Sequence, residues 1–139
     1  KDKIVVFDLD GTLADTAPAL LNAGNQVLKS IGRNPIKLQQ YKGYIGGGTK
    51  KQVEKLLIST GGIPDRGLDF YFKLFQDRYY DDPVKGCSLY EGALELIEFL
   101  KSQGIKLTIC TQKFESSAKK VLVQEHKLYP KAILKVFNL

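Results

Sequence analysis

The sequence predicts an α/β fold, because apolar runs typical of strands alternate with segments of helical periodicity. The first run, Ile4 to Phe7, is β-branched and aromatic without a polar break, which is typical of a strand buried on both faces of a parallel sheet. A second run, Ile105 to Cys110, has the same character and follows a helical segment. The order of elements along the chain is strand, crossover, helix, strand. This order implies that the two strands pair in parallel, so we expect a Rossmann-like core.

Helical segments separate these two runs, and residues 16–82 contain no convincing strand. They are a helix over 17–31 that ends at Gly32, a short ambiguous stretch over 36–42, a helix carrying Val53, Leu56 and Leu57 that ends at Gly61-Gly62, and an aromatic-faced helix from Pro64 to Asp81-Asp82-Pro83. We therefore expect an α/β core over residues 1–15 and 83–139. An all-helical cap over 16–82 would be inserted after the first strand, with hinges at 12–16 and 83–86.

The second part of the predicted core begins at Ser88, where Ser88-Leu89-Tyr90-Glu91 has the form of a helix capping box. The helix predicted from it ends at Gly104, before the second strand. Residues 132–137 are apolar and rich in β-formers, and they predict a third strand. Between these strands lies one more helical stripe, formed by Phe114, Ala118, Val121, Leu122 and Leu128.

The composition is that of an ordinary globular protein, with 43% hydrophobic and 26% charged residues. A net charge of +6 suits anionic substrates, but no basic run is interleaved with aromatic residues, so we expect no nucleic-acid partner. We find neither a long apolar segment nor a signal-peptide pattern, and we expect no membrane partner. Cys87 and Cys110 have no metal-ligand spacing, and reduced thiols without an export signal indicate the cytoplasm.

Two carboxylates follow the first strand directly, at Asp8 and Asp10. Open α/β sheets bind their ligands at the carboxyl ends of their strands, and a spacing of two residues directs both side chains to the same side. Gly11 allows a sharp turn and a close backbone approach to a ligand. From the pattern alone, a functional site and a simple Asp-Gly turn at a strand end both remain open, although the helical spacing that follows argues against a hairpin.

The stretch Asp8-Leu9-Asp10-Gly11-Thr12-Leu13-Ala14-Asp15-Thr16 resembles the first motif of the haloacid dehalogenase superfamily, nearly residue for residue. It is most similar to the phosphoglycolate-phosphatase-like branch, whose members carry a helical cap between the first and second motifs. The superfamily's dehalogenases lack the second aspartate, so Asp10 indicates a phosphotransferase.

The resemblance implies a Mg²⁺-dependent phosphatase of small phosphorylated metabolites. In such a mechanism Asp8 is the nucleophile that forms an aspartyl-phosphate, and Asp10 is the general acid and base. Asp8 and Asp10 would also be the metal ligands, Asp10 through its backbone carbonyl. The backbone N–H groups of Leu9, Gly11 and Thr12 would bind the phosphoryl group.

The stretch Thr111-Gln112-Lys113 follows the second strand in the same way that Asp8 follows the first. A hydroxyl and backbone N–H groups before a helix can bind an anion, but the pattern alone favours Thr111 as a cap of that helix. By resemblance Thr111 matches the second-motif Ser/Thr that holds a phosphoryl oxygen, with Gln112 in place of the usual Asn. Lys113 is either a further phosphate ligand or a solvated side chain.

Gly46-Gly47-Gly48-Thr49-Lys50-Lys51 is a weaker candidate, because glycines before a helix can bind a carboxylate or phosphate. We expect either a substrate site in the cap, at Gly47, Gly48 and Lys50, or a flexible loop before a lysine-rich surface. His126, the only histidine, is expected at the surface of a helix.

The resemblance covers the first two motifs of the superfamily and does not extend to the third-motif lysine or the acidic fourth motif. We therefore expect a fragment of a longer protein, with a degenerate member as the alternative, and negligible turnover by residues 1–139 alone. Other phosphotransferases, such as a nucleotide or pyrophosphate phosphatase or a sugar-phosphate mutase, remain alternatives, as does a non-catalytic binding protein. Neither the exact substrate nor the oligomeric state follows from the sequence.

Overall fold

The computed structural model describes residues 2–111, 115–126 and 136–138. The chain divides into two compact units, one formed by Lys1–Thr16 and Gly86–Leu139, the other by Ala17–Lys85. Strands and helices alternate in the first unit, whereas the described elements of the second are all helices. The predicted α/β class, with a helical insertion after the first strand, is therefore confirmed.

The first unit is built on a parallel sheet of three strands in its described residues. Strand β1 (Ile4–Phe7) pairs with β4 (Lys106–Thr111), from Ile4 opposite Lys106 to Phe7 opposite Ile109. Strand β5 (Val136–Asn138) pairs in parallel with β4, which confirms a third strand. Residues 132–135 of that prediction lie outside the described residues.

Two helices and a short ladder complete the described part of this unit. Helix α5 (Ala93–Ser102) precedes β4, and helix α6 (Glu115–His126) follows it. Strands β2 (Ala14–Asp15) and β3 (Ser88–Leu89) form an antiparallel pair that the sequence did not predict. The buried side chains of this unit include Leu9, Ile97, Leu107, Ile109 and Leu122.

The second unit packs four helices around aromatic and aliphatic side chains. Its helices are α1 (Ala17–Ser30), α2 (Leu38–Lys42), α3 (Thr49–Ser59) and α4 (Leu68–Asp81). Gly24 of α1 allows close packing, because a Cβ atom there would lie 3.1 Å from both Leu56 Cδ2 and Tyr41 Cε2 and would require these side chains to shift. None of the described helices is both long and apolar enough to cross a membrane.

Arg33 fixes the end of α3 through three hydrogen bonds. Its guanidinium donates to the carbonyl oxygens of Leu57 and Gly62, at 2.9 and 2.7 Å, and to Thr60 Oγ1 at 3.0 Å. The last carbonyls of a helix lack partners within the helix, and a cation at this end also favours the helix dipole. Arg33 therefore joins the segment after α1 to the end of α3.

The prediction that β1 is buried on both faces was wrong. Ile4 and Val6 are 60% and 59% exposed, whereas Val5 and Phe7 are half-buried. In the described sheet β1 lies at the edge beside β4, and the face that carries Ile4 and Val6 is left open.

The predicted capping box at Ser88 was also wrong. Ser88 and Leu89 form β3 opposite Asp15 and Ala14, and the Tyr90 N–H donates to the Leu13 carbonyl at 3.0 Å. The backbone groups of residues 88–90 therefore bond to a segment far away in the sequence and not to a helical turn. Helix α5 begins only at Ala93, after Gly92 has turned the chain with a φ of 81°.

The predicted start of the fourth helix at Pro64 was early, because α4 begins at Leu68. Pro64 instead opens a turn, in which the Gly67 N–H donates to the Pro64 carbonyl at 2.9 Å. Gly67 has a φ of 85°, a value that a helix cannot contain.

Candidate active site

Two carboxylates follow β1, one on either side of a buried leucine. Leu9 is fully buried, whereas Asp8 is exposed and Asp10 is half-buried. The apolar side chain thus anchors this backbone in the core, and the common direction of Asp8 and Asp10 expected from their spacing stays a prediction. Asp8 is open to an incoming solute.

A tight loop follows, organised around the carbonyl oxygen of Leu9. This oxygen accepts hydrogen bonds from the N–H groups of Thr12, Leu13 and Ala14 at 3.2, 3.0 and 3.1 Å. Gly11 turns the chain with a φ of 77°. The loop leads into β2, which pairs with β3 and not with β1, so the alternative of a simple hairpin is wrong.

The backbone N–H groups predicted to bind phosphate are engaged within the loop. The Leu9 N–H donates to Asp8 Oδ1 at 2.8 Å, so this amide already faces an anionic oxygen. The Gly11 N–H donates to the Ala14 carbonyl at 2.9 Å, and the Thr12 N–H to Leu9. Phosphate binding by the N–H groups of Leu9, Gly11 and Thr12 would need these bonds to be exchanged or shared, and it stays a prediction.

Asp10 has a partner that the sequence analysis did not assign. The Thr16 hydroxyl donates to Asp10 Oδ1, and Thr16 is 2% exposed. Thr16 is the last residue of the motif that begins at Asp8, but its place directly before a helix suggests an ordinary capping residue. Only the folded loop shows its side chain beside Asp10.

Thr111 is the last residue of β4 and is 1% exposed. Since β1 and β4 are parallel neighbours, with Phe7 opposite Ile109, Asp8 and Thr111 follow at the same edge of the sheet. The described part of helix α6 begins at Glu115, and residues 112–114 before it lie outside the described residues, so capping of this helix by Thr111 and phosphate binding by Thr111 both stay predictions. Gln112 and Lys113 lie outside the described residues, as do the side chains of Glu115, Glu125 and His126.

The donor set at this edge suits Mg²⁺. Asp8 and Asp10 offer the hard oxygen ligands that Mg²⁺ prefers, and this ion commonly takes one or two carboxylates together with water and substrate phosphate. Across residues 2–111, 115–126 and 136–138, no group of three or more His, Cys, Asp and Glu side chains could hold a metal ion. Metal binding by Asp8 and Asp10 therefore stays a prediction.

The glycine segment lies in the helical unit, before α3. Gly46, Gly47 and Gly48 all have positive φ values, of 125°, 72° and 90°. Lys50, the charged residue of the weaker prediction, has an acidic partner, with its Nζ 2.5 Å from Asp69 Oδ1. Its charge is therefore partly offset, and substrate binding by Gly47, Gly48 and Lys50 stays a prediction.

Comparisons of the sequence with protein families and with curated proteins agree with one another. A model of the haloacid dehalogenase-like hydrolase family matches residues 5–131. A phosphoglycolate phosphatase of Cereibacter sphaeroides is 34% identical over 120 residues, covering 85% of this chain and 55% of that protein. A phosphoglycolate phosphatase of Aquifex aeolicus is 33% identical over 120 residues, covering 86% of this chain and 54% of that protein. The chain thus spans about half the length of these curated relatives.

Solved structures share the fold. A predicted phosphoglycolate phosphatase of Haemophilus somnus 129pt superposes with a TM-score of 0.82 at 21% identity, over 99% of this chain and 62% of that one. A candidate β-phosphoglucomutase of Thermotoga maritima superposes with a TM-score of 0.68 at 23% identity, over 98% of this chain and 61% of that one. At these identities the likeness concerns the fold alone.

Proposed function

Since the chain belongs to the haloacid dehalogenase-like hydrolase family, as its first motif predicted, we propose that it carries the nucleophile and the acid/base of a Mg²⁺-dependent phosphatase. The observation that carries this proposal is the placement of Asp8 and Asp10 at the end of β1, beside the end of β4 with Thr111. The substrate class is a small phosphomonoester. Phosphoglycolate is the first substrate to test, because curated relatives are phosphoglycolate phosphatases.

The first half-reaction transfers the phosphoryl group to Asp8. One carboxylate oxygen attacks phosphorus while the bond between phosphorus and the ester oxygen breaks, and Asp10 gives its proton to the leaving oxygen. The exposure of Asp8 gives the substrate access to this oxygen. Thr111 and the Leu9 N–H are the groups proposed to hold the phosphoryl oxygens.

The second half-reaction clears the aspartyl-phosphate. Asp10, now a carboxylate, takes a proton from water, whose oxygen forms the new bond to phosphorus as the bond to Asp8 breaks. Inorganic phosphate leaves, and Asp8 and Asp10 regain their starting states. Asp8 and the Asp10 backbone carbonyl are the groups that would hold Mg²⁺, which would supply the positive charge that offsets repulsion between the carboxylates and phosphate.

Other functions remain candidates within and outside this class. A sugar-phosphate mutase, or a nucleotide or pyrophosphate phosphatase, would use the same carboxylates, and a candidate mutase of Thermotoga maritima shares the fold. A non-catalytic binding protein would keep the fold without turnover.

We also propose a cytoplasmic location, supported by Cys87 and Cys110 being thiols and not a disulfide.

The proposal is tested by assaying the complete protein with Mg²⁺ against phosphoglycolate, an aryl phosphate, a nucleotide and a hexose 1-phosphate. We expect phosphate release that is fastest from a small phosphomonoester and is lost on chelation of Mg²⁺. Conversion of hexose 1-phosphate to its 6-phosphate without phosphate release would favour the mutase. Binding of these compounds without any turnover would favour the binding protein.

A further inference from the structure

Thr16 donates a hydrogen bond to Asp10 Oδ1 from a buried position. Its backbone follows β2, whose residue Asp15 is paired with Ser88, so the hydroxyl is presented from an anchored segment. Asp10 lies between β1 and β2, is bridged to Ala14 and is half-buried. A hydroxyl from an anchored segment therefore contacts one oxygen of a half-buried carboxylate.

The chemistry proposed for Asp10 needs such restraint. An acid/base group must lie within hydrogen-bonding reach of the leaving oxygen and then of the attacking water. Aspartate samples several rotamers at a partly exposed site, and each unproductive one lowers the rate. A hydroxyl bound to one carboxylate oxygen selects among these rotamers.

We propose that Thr16 is the positioning residue of Asp10, holding its carboxylate in the orientation used for proton transfer. The inference rests on the proposed phosphatase function and assigns Thr16 no contact with the substrate. A threonine directly before a helix usually accepts a hydrogen bond from the first helical turn. The described hydrogen bond of Thr16 is instead a donation to Asp10, which a capping role does not require.

The kinetic test compares Thr16→Val with Thr16→Ser in the complete protein with Mg²⁺. Valine keeps the shape of threonine without the hydroxyl, whereas serine keeps the hydroxyl. For an alkyl phosphate, whose leaving oxygen needs a proton, we expect Thr16→Val to lower kcat/KM by about 10- to 100-fold. This loss is smaller than the whole contribution of general acid catalysis, because Asp10 itself is still present. For 4-nitrophenyl phosphate, whose leaving group departs without a proton, we expect a loss under about 3-fold.

Thr16→Ser should remain within about 3-fold of the unchanged protein on both substrates, because its hydroxyl can make the same bond. An equal loss on the two substrates in Thr16→Val would indicate a merely structural role and would overturn the proposal. So would a failure of serine to preserve the activity on the alkyl phosphate.

A second measurement does not depend on turnover. Crystal structures of the unchanged protein, Thr16→Ser and Thr16→Val report the rotamer of Asp10 directly. We expect one Asp10 rotamer in the first two and a different or divided one in Thr16→Val. An unchanged Asp10 in Thr16→Val would refute the positioning role even in an inactive protein. Absence of phosphatase activity in the unchanged protein would refute only the proposed function.

Discussion

Asp8 is the residue on which the proposed covalent chemistry depends. We expect Asp8→Asn in the complete protein to abolish phosphatase activity, with a loss of at least about 10³-fold, because an amide lacks the charge needed to attack phosphorus. The measurement is turnover of an aryl phosphate with Mg²⁺, together with circular dichroism to show that the fold survives. Asp65→Asn removes the same charge from an exposed site in the helical unit and should leave turnover unchanged. Activity in Asp8→Asn equal to that of this control would exclude Asp8 as the nucleophile.

Asp10 has a different role and should give a different kinetic result. Asp10→Asn removes the exchangeable proton, so we expect both half-reactions to slow, by about 10²- to 10⁴-fold, with little change in phosphate binding. Rapid-quench measurements separate formation of the aspartyl-phosphate from its hydrolysis, and calorimetry with inorganic phosphate reports binding. A variant that lost affinity while keeping both rates would contradict the acid/base assignment.

Among the helices, the buried contact between α2 and α3 makes a prediction about pH. The Tyr41 hydroxyl donates to Gln52 Oε1 at 3.1 Å, and Tyr41 is fully buried. Burial raises the pKa of Tyr41 well above its usual value of about 10, with a smaller contribution from Tyr79. In the folded protein Tyr41 therefore keeps its proton at a pH where the unfolded chain has released it.

The sign of the effect follows from linkage. The contribution of Tyr41 is fully present below pH 10 and is lost as the pH rises from there toward the folded pKa, because the unfolded state binds fewer protons. We expect Tyr41→Phe to cost about 1 kcal/mol at pH 8, from the lost hydrogen bond to Gln52. Above pH 10 the variant should lose stability less steeply than the unchanged protein.

Urea unfolding at pH 8, 10 and 11 measures this difference, with Tyr90→Phe as the control. Tyr90 is 42% exposed, so Tyr90→Phe removes the same hydroxyl group from the surface of the protein and controls for the chemical change itself. Parallel stability curves for Tyr41→Phe and the unchanged protein above pH 10 would contradict the argument from burial.

The elements that the sequence predicted well are those with a strong local pattern. The stripe of α1 and the apolar run of β4 were placed within one or two residues of the observed bounds, since hydrophobic periodicity reports burial directly. The failures at Ser88 and Pro64 have the opposite origin. Ser88 pairs with Asp15, more than seventy residues earlier in the chain, and no local sequence pattern predicts such a pairing.

The same distinction holds for the candidate site. The positions of Asp8, Asp10 and Thr111 at strand ends could be predicted, because apolar runs and a specific motif mark them in the sequence, whereas their roles stay predictions. The contact between Thr16 and Asp10 could not be predicted, because it depends on the loop that brings the Thr16 hydroxyl back to Asp10. The engagement of the Gly11 and Thr12 N–H groups inside that loop is likewise a property of the folded backbone.

At the scale of the whole molecule, the open face of β1 is the main departure from expectation. Parallel sheets are almost always covered on both faces, yet Ile4 and Val6 remain more than half exposed here. The curated relatives are nearly twice as long as the matched segment. Whether the face of β1 is covered within residues 1–139 can be tested by mutation, by comparing Val6 with a buried valine of the same unit.

Val6→Thr in residues 1–139 should change the free energy of unfolding by less than about 0.5 kcal/mol, as is usual for an exposed position. Val121 on α6 is fully buried, and Val121→Thr should cost about 1–3 kcal/mol, because its hydroxyl would enter the core. Urea unfolding followed by circular dichroism measures both. Equal costs would mean that the face of β1 is already covered within these residues. In a longer form of the protein, a cost for Val6→Thr that rises toward that of Val121→Thr would show that further residues cover this face of the sheet.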